Sequence, residues 1–114
     1  MKITDPGKCL RVFIGEADKW HHVSLYQAIV EKARAEGLAG ATVLRGTLSF
    51  GASSRIHTAS ILRLSEDLPL VIEIIDKAER IDKFPPFLDE MVAEGGLITI
   101  EDVEIIKYTH NGSP

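Results

Sequence analysis

The sequence predicts an α+β sandwich in which one antiparallel sheet carries two helices on a single face. Three observations lead there. The 114-residue chain alternates runs rich in β-branched residues with amphipathic stretches of helical period, in the order β, α, β, long loop, β, α, β. Each amphipathic stretch keeps one apolar stripe facing a core. At this length that order is the ferredoxin-like plait, βαββαβ.

The first strand runs from Cys9 to Ile14, with Leu10, Val12 and Ile14 on one face and Cys9, Arg11 and Phe13 on the other, and it ends at Gly15. Cys9 reads as a packing residue. GEADKWHHV then leads to Ser24, which with Gln27 three residues on has the spacing of a capping box. Behind it Tyr26, Ile29, Val30 and Ala33 keep the helical stripe, widened by Leu25 and Ala28, while Glu31, Lys32, Arg34 and Glu36 stay wet. Gly37 stops that helix. Ala41 to Phe50 reads as one long strand between Gly40 and Gly51, and Leu70 to Ile75 as its central neighbour.

Asp76 and Glu79 repeat the capping pattern, and Ile81, Phe84, Leu88, Met91 and Val92 form the second stripe. Pro85 and Pro86 interrupt it. A proline inside a helix costs about 3 kcal/mol, so a kink or two shorter helices are expected, the second starting near Pro86. After Gly95 and Gly96 the last strand region spans Leu97 to Ile100 and Val103 to Tyr108, split by Glu101 and Asp102. The whole chain, 1–114, reads as a single domain with residues 1–7 and 109–114 as loose tails.

Composition narrows the function. Thirteen Lys and Arg against 17 Asp and Glu, a net charge of −4, give no footprint for a nucleic-acid backbone. The one cysteine cannot form an internal disulfide, and MKITDPGKCL lacks the apolar segment of a secretory signal, so a cytoplasmic location is expected. No apolar run approaches the roughly 20 residues that span a bilayer. There is no nucleophile elbow, Walker loop, HExxH or cysteine pair, so no catalytic residues are assigned and an enzyme is not expected. His21 and His22 are adjacent and would point apart on an extended chain, and with His57 or His110 they make no compact ligand spacing, so no metal site is assigned. Trp20 beside them reads as an anchor packed on a helix or a neighbouring subunit.

Two features look functional. The connection GASSRIHTAS followed by SEDLP is long for a compact domain, and such connections are either working loops or solvated spacers. Gly51, Ser53, Ser54, Arg55, His57 and Thr58 offer backbone amides, hydroxyls, a cation and a titratable ring, a set able to hold an anion or a carboxylate. The other feature is the sheet face away from the helices. Cys9, Phe13, Ala41, Val43, Val71 and Ile75 are expected to lie there, where a second copy of the chain would cover them, with Arg45 and Glu73 pairing to set register.

From Cys9 to Tyr108 the chain resembles the PII-like family of bacterial and archaeal proteins, domain of unknown function 190, through GEADKW, LYQAIVEKARAEGLAGATVLRG, FGASSRIHTA, LRLSEDLPLVIEIID and LITIEDVEIIKY. The resemblance implies a homotrimer, distantly related to nitrogen regulatory PII proteins. In those relatives the long loop engages target proteins, membrane transporters or channels among them, and clefts between subunits hold adenine nucleotides and small effectors. Gly40, Ala41, Thr42 and Val43 resemble the segment lining that cleft; Phe50 and Gly51 resemble the residues opening the loop, with one residue more between the landmarks, which fits a bulge near Gly46. The phosphate loop of PII proteins is rich in lysine and glycine, whereas AEGGL here has an acidic residue and no lysine. A nucleotide therefore stays one candidate effector among several. The resemblance and the loop together point to a regulatory module whose ligand and partner contacts include Thr42, Gly51, Ser53, Ser54, Arg55 and His57. The alternatives are a metal-handling trimer like the divalent-cation tolerance proteins, which share this architecture, or a small enzyme at the subunit interface.

Overall fold

The structure, a computed structural model, describes residues 5–46, 48–50, 56–58, 68–93 and 95–109, with backbone only at 48–50 and 56–58. Its centre is β1, Asp5–Gly15, which begins earlier than the expected Cys9 and pairs antiparallel on both edges. The chain continues through a short hairpin of β2 (Lys19–Trp20) and β3 (Val23–Ser24), then α1 (Leu25–Ala35), β4 (Thr42–Arg45), β5 (Leu48–Phe50), β6 (Ile56–Thr58) and β7 (Pro69–Lys77). Two short helices, α2 (Ala78–Asp82) and α3 (Pro85–Met91), precede β8 (Leu97–Ile105). The main sheet has the order β4-β7-β1-β8, the ferredoxin-like plait.

The alternation of β1 decides where the core lies. Leu10 and Val12 are fully buried with Ile72 and Ile74 of β7, against Ile29 of α1, Ile81 of α2 and Leu88 of α3. Each such side chain contributes roughly 1.5–3 kcal/mol by leaving water. The prolines act as expected. They occupy the first two positions of α3, where their missing N–H groups have no helical partner to lose, so the second helical stripe is divided instead of kinked and its second piece starts at Pro85.

Several local expectations are corrected by the three-dimensional context. Ser24 does sit at the N-cap of α1, but its side chain makes no capping bond, and Gln27 donates to Glu31 at 3.3 Å. Gly37, at φ 83°, ends the helix: its N–H donates to the Arg34 carbonyl and that of Leu38 to the Ala33 carbonyl. Asp76 does not cap α2, whose N-cap is Lys77. It is buried, and its carboxylate accepts the N–H groups of Ala39 at 2.9 Å and Lys77 at 2.6 Å, clasping the α1–β4 connection onto the end of β7. Glu101 and Asp102 do not split the last strand, because both keep their places in the β1–β8 ladder, opposite Cys9 and Lys8.

The expected strand from Ala41 to Phe50 is two strands. β4 pairs with β7 only as far as Arg45↔Leu70. Gly46 then donates to the Pro69 carbonyl at 2.8 Å, but Pro69 has no N–H to return, so the ladder stops and β5 pairs with β6. Register also moves side chains between faces. Val43 stands opposite Ile72, which puts Val43 and the partly buried Ala41 on the helix side and leaves Thr42 and Leu44 on the open face. The β2–β3 turn places His21 at φ 51° and His22 at φ 71°, a left-handed pair that glycine or asparagine ordinarily fills.

The turn into β8 depends on glycine for a different reason. At Gly96, φ is 150°, and a Cβ would lie 2.5 Å from Val92 Cγ1 and 3.2 Å from the Phe13 carbonyl oxygen. Gly96→Ala is expected to cost about 2 kcal/mol, from backbone strain and the steric clash together. Urea unfolding of both proteins checks this; equal midpoints would show that the turn relaxes freely.

Candidate functional site

Three chain segments meet at the end of the sheet where β1 and β4 finish and β7 and β8 begin. The Glu16 N–H donates to the Leu68 carbonyl at 2.7 Å, tying the end of β1 to the close of the long connection. Asp18 shapes the turn after β1: its carboxylate accepts the Gly15 N–H at 2.9 Å, and its carbonyl accepts the Leu25 N–H that starts α1. Over this corner the Arg45 guanidinium donates to the Glu16 carboxylate, which holds Arg45 protonated more strongly than usual. More than half of the Arg45 side chain stays exposed, so it can present further donors to an anion at the loop base. Arg45 therefore does not pair with Glu73 as the sequence led us to expect. The two lie on opposite faces of the sheet, since Arg45 stands opposite Leu70 and Glu73 opposite Thr42.

The long connection from this corner contains the β5–β6 ribbon, with Ser49 opposite His57. Of the residues singled out in the sequence, Thr42 is exposed on β4, on the open face. His57 lies in β6, where only the backbone is described, as for Thr58. Gly51, Ser53, Ser54 and Arg55 lie outside the described residues, as does His110. The structure thus neither joins nor separates Thr42 and the loop set. Trp20 is partly buried against the core and stacks on His21 with ring centroids 4.0 Å apart at 11°. Among the described residues no group of three His, Cys, Asp or Glu side chains is arranged to hold a metal ion.

The open face is banded. Leu44, Val71, Phe13 and Leu97 stand in one register row across all four strands, with Phe13 37%, Leu44 49% and Leu97 55% exposed. The next row is polar: Thr42, Glu73, Arg11 and Thr99. Arg11 donates to Glu73 at 2.9 Å and also to Glu101, and these two carboxylates, Glu101 foremost, raise its pKa. Below them Cys9 faces Ile75 and Glu101 across the strands. Sequence reasoning found Phe13, Val71 and Ile75 but missed Leu44 and Leu97, because the face of an edge strand is set by its register with the centre.

Cys9 is 1% exposed, and burial pushes its thiol above the ordinary value of 9.0, outweighing the opposite pull of Arg11. The fold thereby favours the neutral thiol, and stability falls as pH rises beyond the unfolded thiol's range. Cys9 is expected to react with a charged disulfide reagent at pH 8 roughly a hundredfold more slowly in the native protein than in the urea-unfolded chain. Equal rates would mean that the site is open.

No helix among the described residues is long and apolar enough to cross a membrane. The family model described as DUF190, Uncharacterized ACR, matches residues 7–105. A UPF0166 protein of Aquifex aeolicus is 39% identical over 100 residues, covering 87% of this chain and 92% of its own length. A UPF0166 protein of Methanocaldococcus jannaschii is 35% identical over 100 residues, covering 88% and 92%. Among solved structures, a nitrogen regulatory PII-like protein of Thiomonas intermedia K12, bound to ADP, AMP and bicarbonate, superposes with a TM-score of 0.67 at 18% identity over 94% of each chain. A PII-like signaling protein of Thermus thermophilus superposes with a TM-score of 0.65 at 18% identity, over 90% of this chain and 92% of its own. The fold is therefore PII-like.

Proposed function

The chain belongs to the DUF190 family, and on that premise we propose that it is a regulatory module that works as a homotrimer, binding a small metabolite in clefts between subunits and contacting a target protein through the 51–61 loop. The observation that carries this reading is the apolar row Leu44, Val71, Phe13 and Leu97, which crosses the helix-free face from edge to edge. A protomer alone leaves it in water; a second copy would cover it, with the polar row beside it penalising slipped registers. At the loop end of edge strand β4, on the helix side, Arg45 offers the cation that AEGGL does not. One arginine suits a small anion or a nucleotide with one or two phosphates better than a triphosphate. The ligands of the Thiomonas intermedia protein, ADP, AMP and bicarbonate, are of that class.

In this reading Thr42 belongs to the subunit cleft, and Gly51, Ser53, Ser54, Arg55 and His57 provide the ligand or partner contacts. The chain has no catalytic role, and the target is a cytoplasmic or membrane-bound protein such as a transporter. At micromolar concentration, light scattering is expected to give three times the 12.5 kDa chain mass, and Phe13→Lys with Leu44→Asp to give one. A monomeric wild-type mass would sink the trimer.

Thermal-shift assays with AMP, ADP, ATP and bicarbonate test the ligand class. A ligand at 100 times its Kd adds roughly 2.7 kcal/mol to stability, so AMP or ADP is expected to raise the midpoint by several degrees, and Arg45→Ala to remove the shift. No response to any adenine nucleotide would rule out the nucleotide form of the proposal.

A further inference from the structure

The outer surface of the helix layer carries a cleft of about 380 Å³ where the end of α1 faces the corner between α2 and α3. Two interruptions in the chain create it. Gly37 ends α1 at φ 83° and turns the backbone through Leu38, while Pro85 and Pro86 begin a new helix and leave Lys83 and Phe84 as the corner. The floor is apolar. Phe84 is buried and Phe87 half-buried, their rings 5.8 Å apart and tilted by 50°, with half-buried Leu38 beside them.

The rim carries Arg80, Lys83 and Glu36. Lys32 Nζ lies 4.3 Å from the centroid of the Phe87 ring and 3.4 Å from the Glu36 carboxylate. Among the described residues the Arg80 guanidinium makes only long contacts, 3.4 Å to the Gly37 carbonyl and 4.0 Å to the Asp76 carboxylate. Lys83 has no ionic or hydrogen-bonded side-chain partner among the described residues. Two cations, Arg80 and Lys83, thus line the cleft with one carboxylate, Glu36, which Lys32 pairs from outside the lining. Arg80 has donors to spare, and a flat ring laid on half-buried Phe87 would take the place that Lys32 holds over it.

We propose that this cleft binds a small organic anion built on a flat ring, its carboxylate or phosphate meeting Arg80 and Lys83 and its ring lying against Phe87. Its volume is within the range of small-molecule sites. The cleft opens on the helix side, away from the banded sheet face. It stays accessible when that face is covered, and the proposal does not depend on the assembly.

Amide shifts in the assigned ¹H–¹⁵N spectrum of the full chain test it, with indole-3-carboxylate, AMP and inorganic phosphate as separate probes. At least one ring-bearing probe should shift Gly37, Leu38, Lys83 and Phe87 saturably, the responding probe naming the carboxylate or the nucleotide source. Lys83→Glu, a change at an exposed position, should weaken that binding at least about tenfold without lowering the melting temperature. Undiminished affinity in Lys83→Glu overturns the proposal. So does phosphate binding as tightly as the ring-bearing probes, which would reduce the cleft to a patch of charge. AMP shifts confined to Arg45, Gly46 and Gly96 would report the loop-end ligand, and with no response to the carboxylate they overturn the cleft while leaving the regulatory reading intact.

Discussion

β1 is hydrogen-bonded on both edges, and a strand held on both sides cannot slide without breaking two ladders together. Its strict alternation is therefore the constraint that assigns sides to everything else. Leu10, Val12 and Ile14 commit one face to the helices, and the helices have enough apolar surface to fill that side only. The other face is left to Cys9, Arg11 and Phe13 and to whatever their cross-strand neighbours bring. The plait follows from this division of labour within one strand.

The same constraint explains why charge is tolerated in the middle of an apolar face. Arg11 stands between β7 and β8 and reaches Glu73 on one side and Glu101 on the other. In water such half-exposed pairs are worth little. Their value lies in register: a copy packed against this face one residue out of step would press leucine and phenylalanine onto carboxylates. Apolar area supplies association, and the polar row restricts its geometry.

Two other places lie off that face. The long connection leaves the sheet at Gly46, where Pro69 ends the ladder, and the Glu16–Arg45 pair anchors its base. At the other end of the helix layer, a glycine stop and a proline start leave a charged corner over two phenylalanines. Both places arise where regular hydrogen bonding is interrupted, so both expose groups that the scaffold does not need for itself. A PII-like scaffold can vary such places without disturbing its core.

Periodicity and punctuation in the sequence were enough to determine the order of the plait's main elements and the core stripe of each helix, and to mark Pro85 and Pro86 as an interruption, because each is encoded by residues within a few positions of one another. Only the tertiary structure decided the face on which Val43 and Leu44 fall, the partner of Arg45, the continuity of β8 through Glu101 and Asp102, and the use of Asp76 as a clasp instead of a cap. Each of these turns on which residue of a distant strand stands opposite. Pairing between segments far apart in sequence is selected by the packing of the whole sheet, and no local pattern records it.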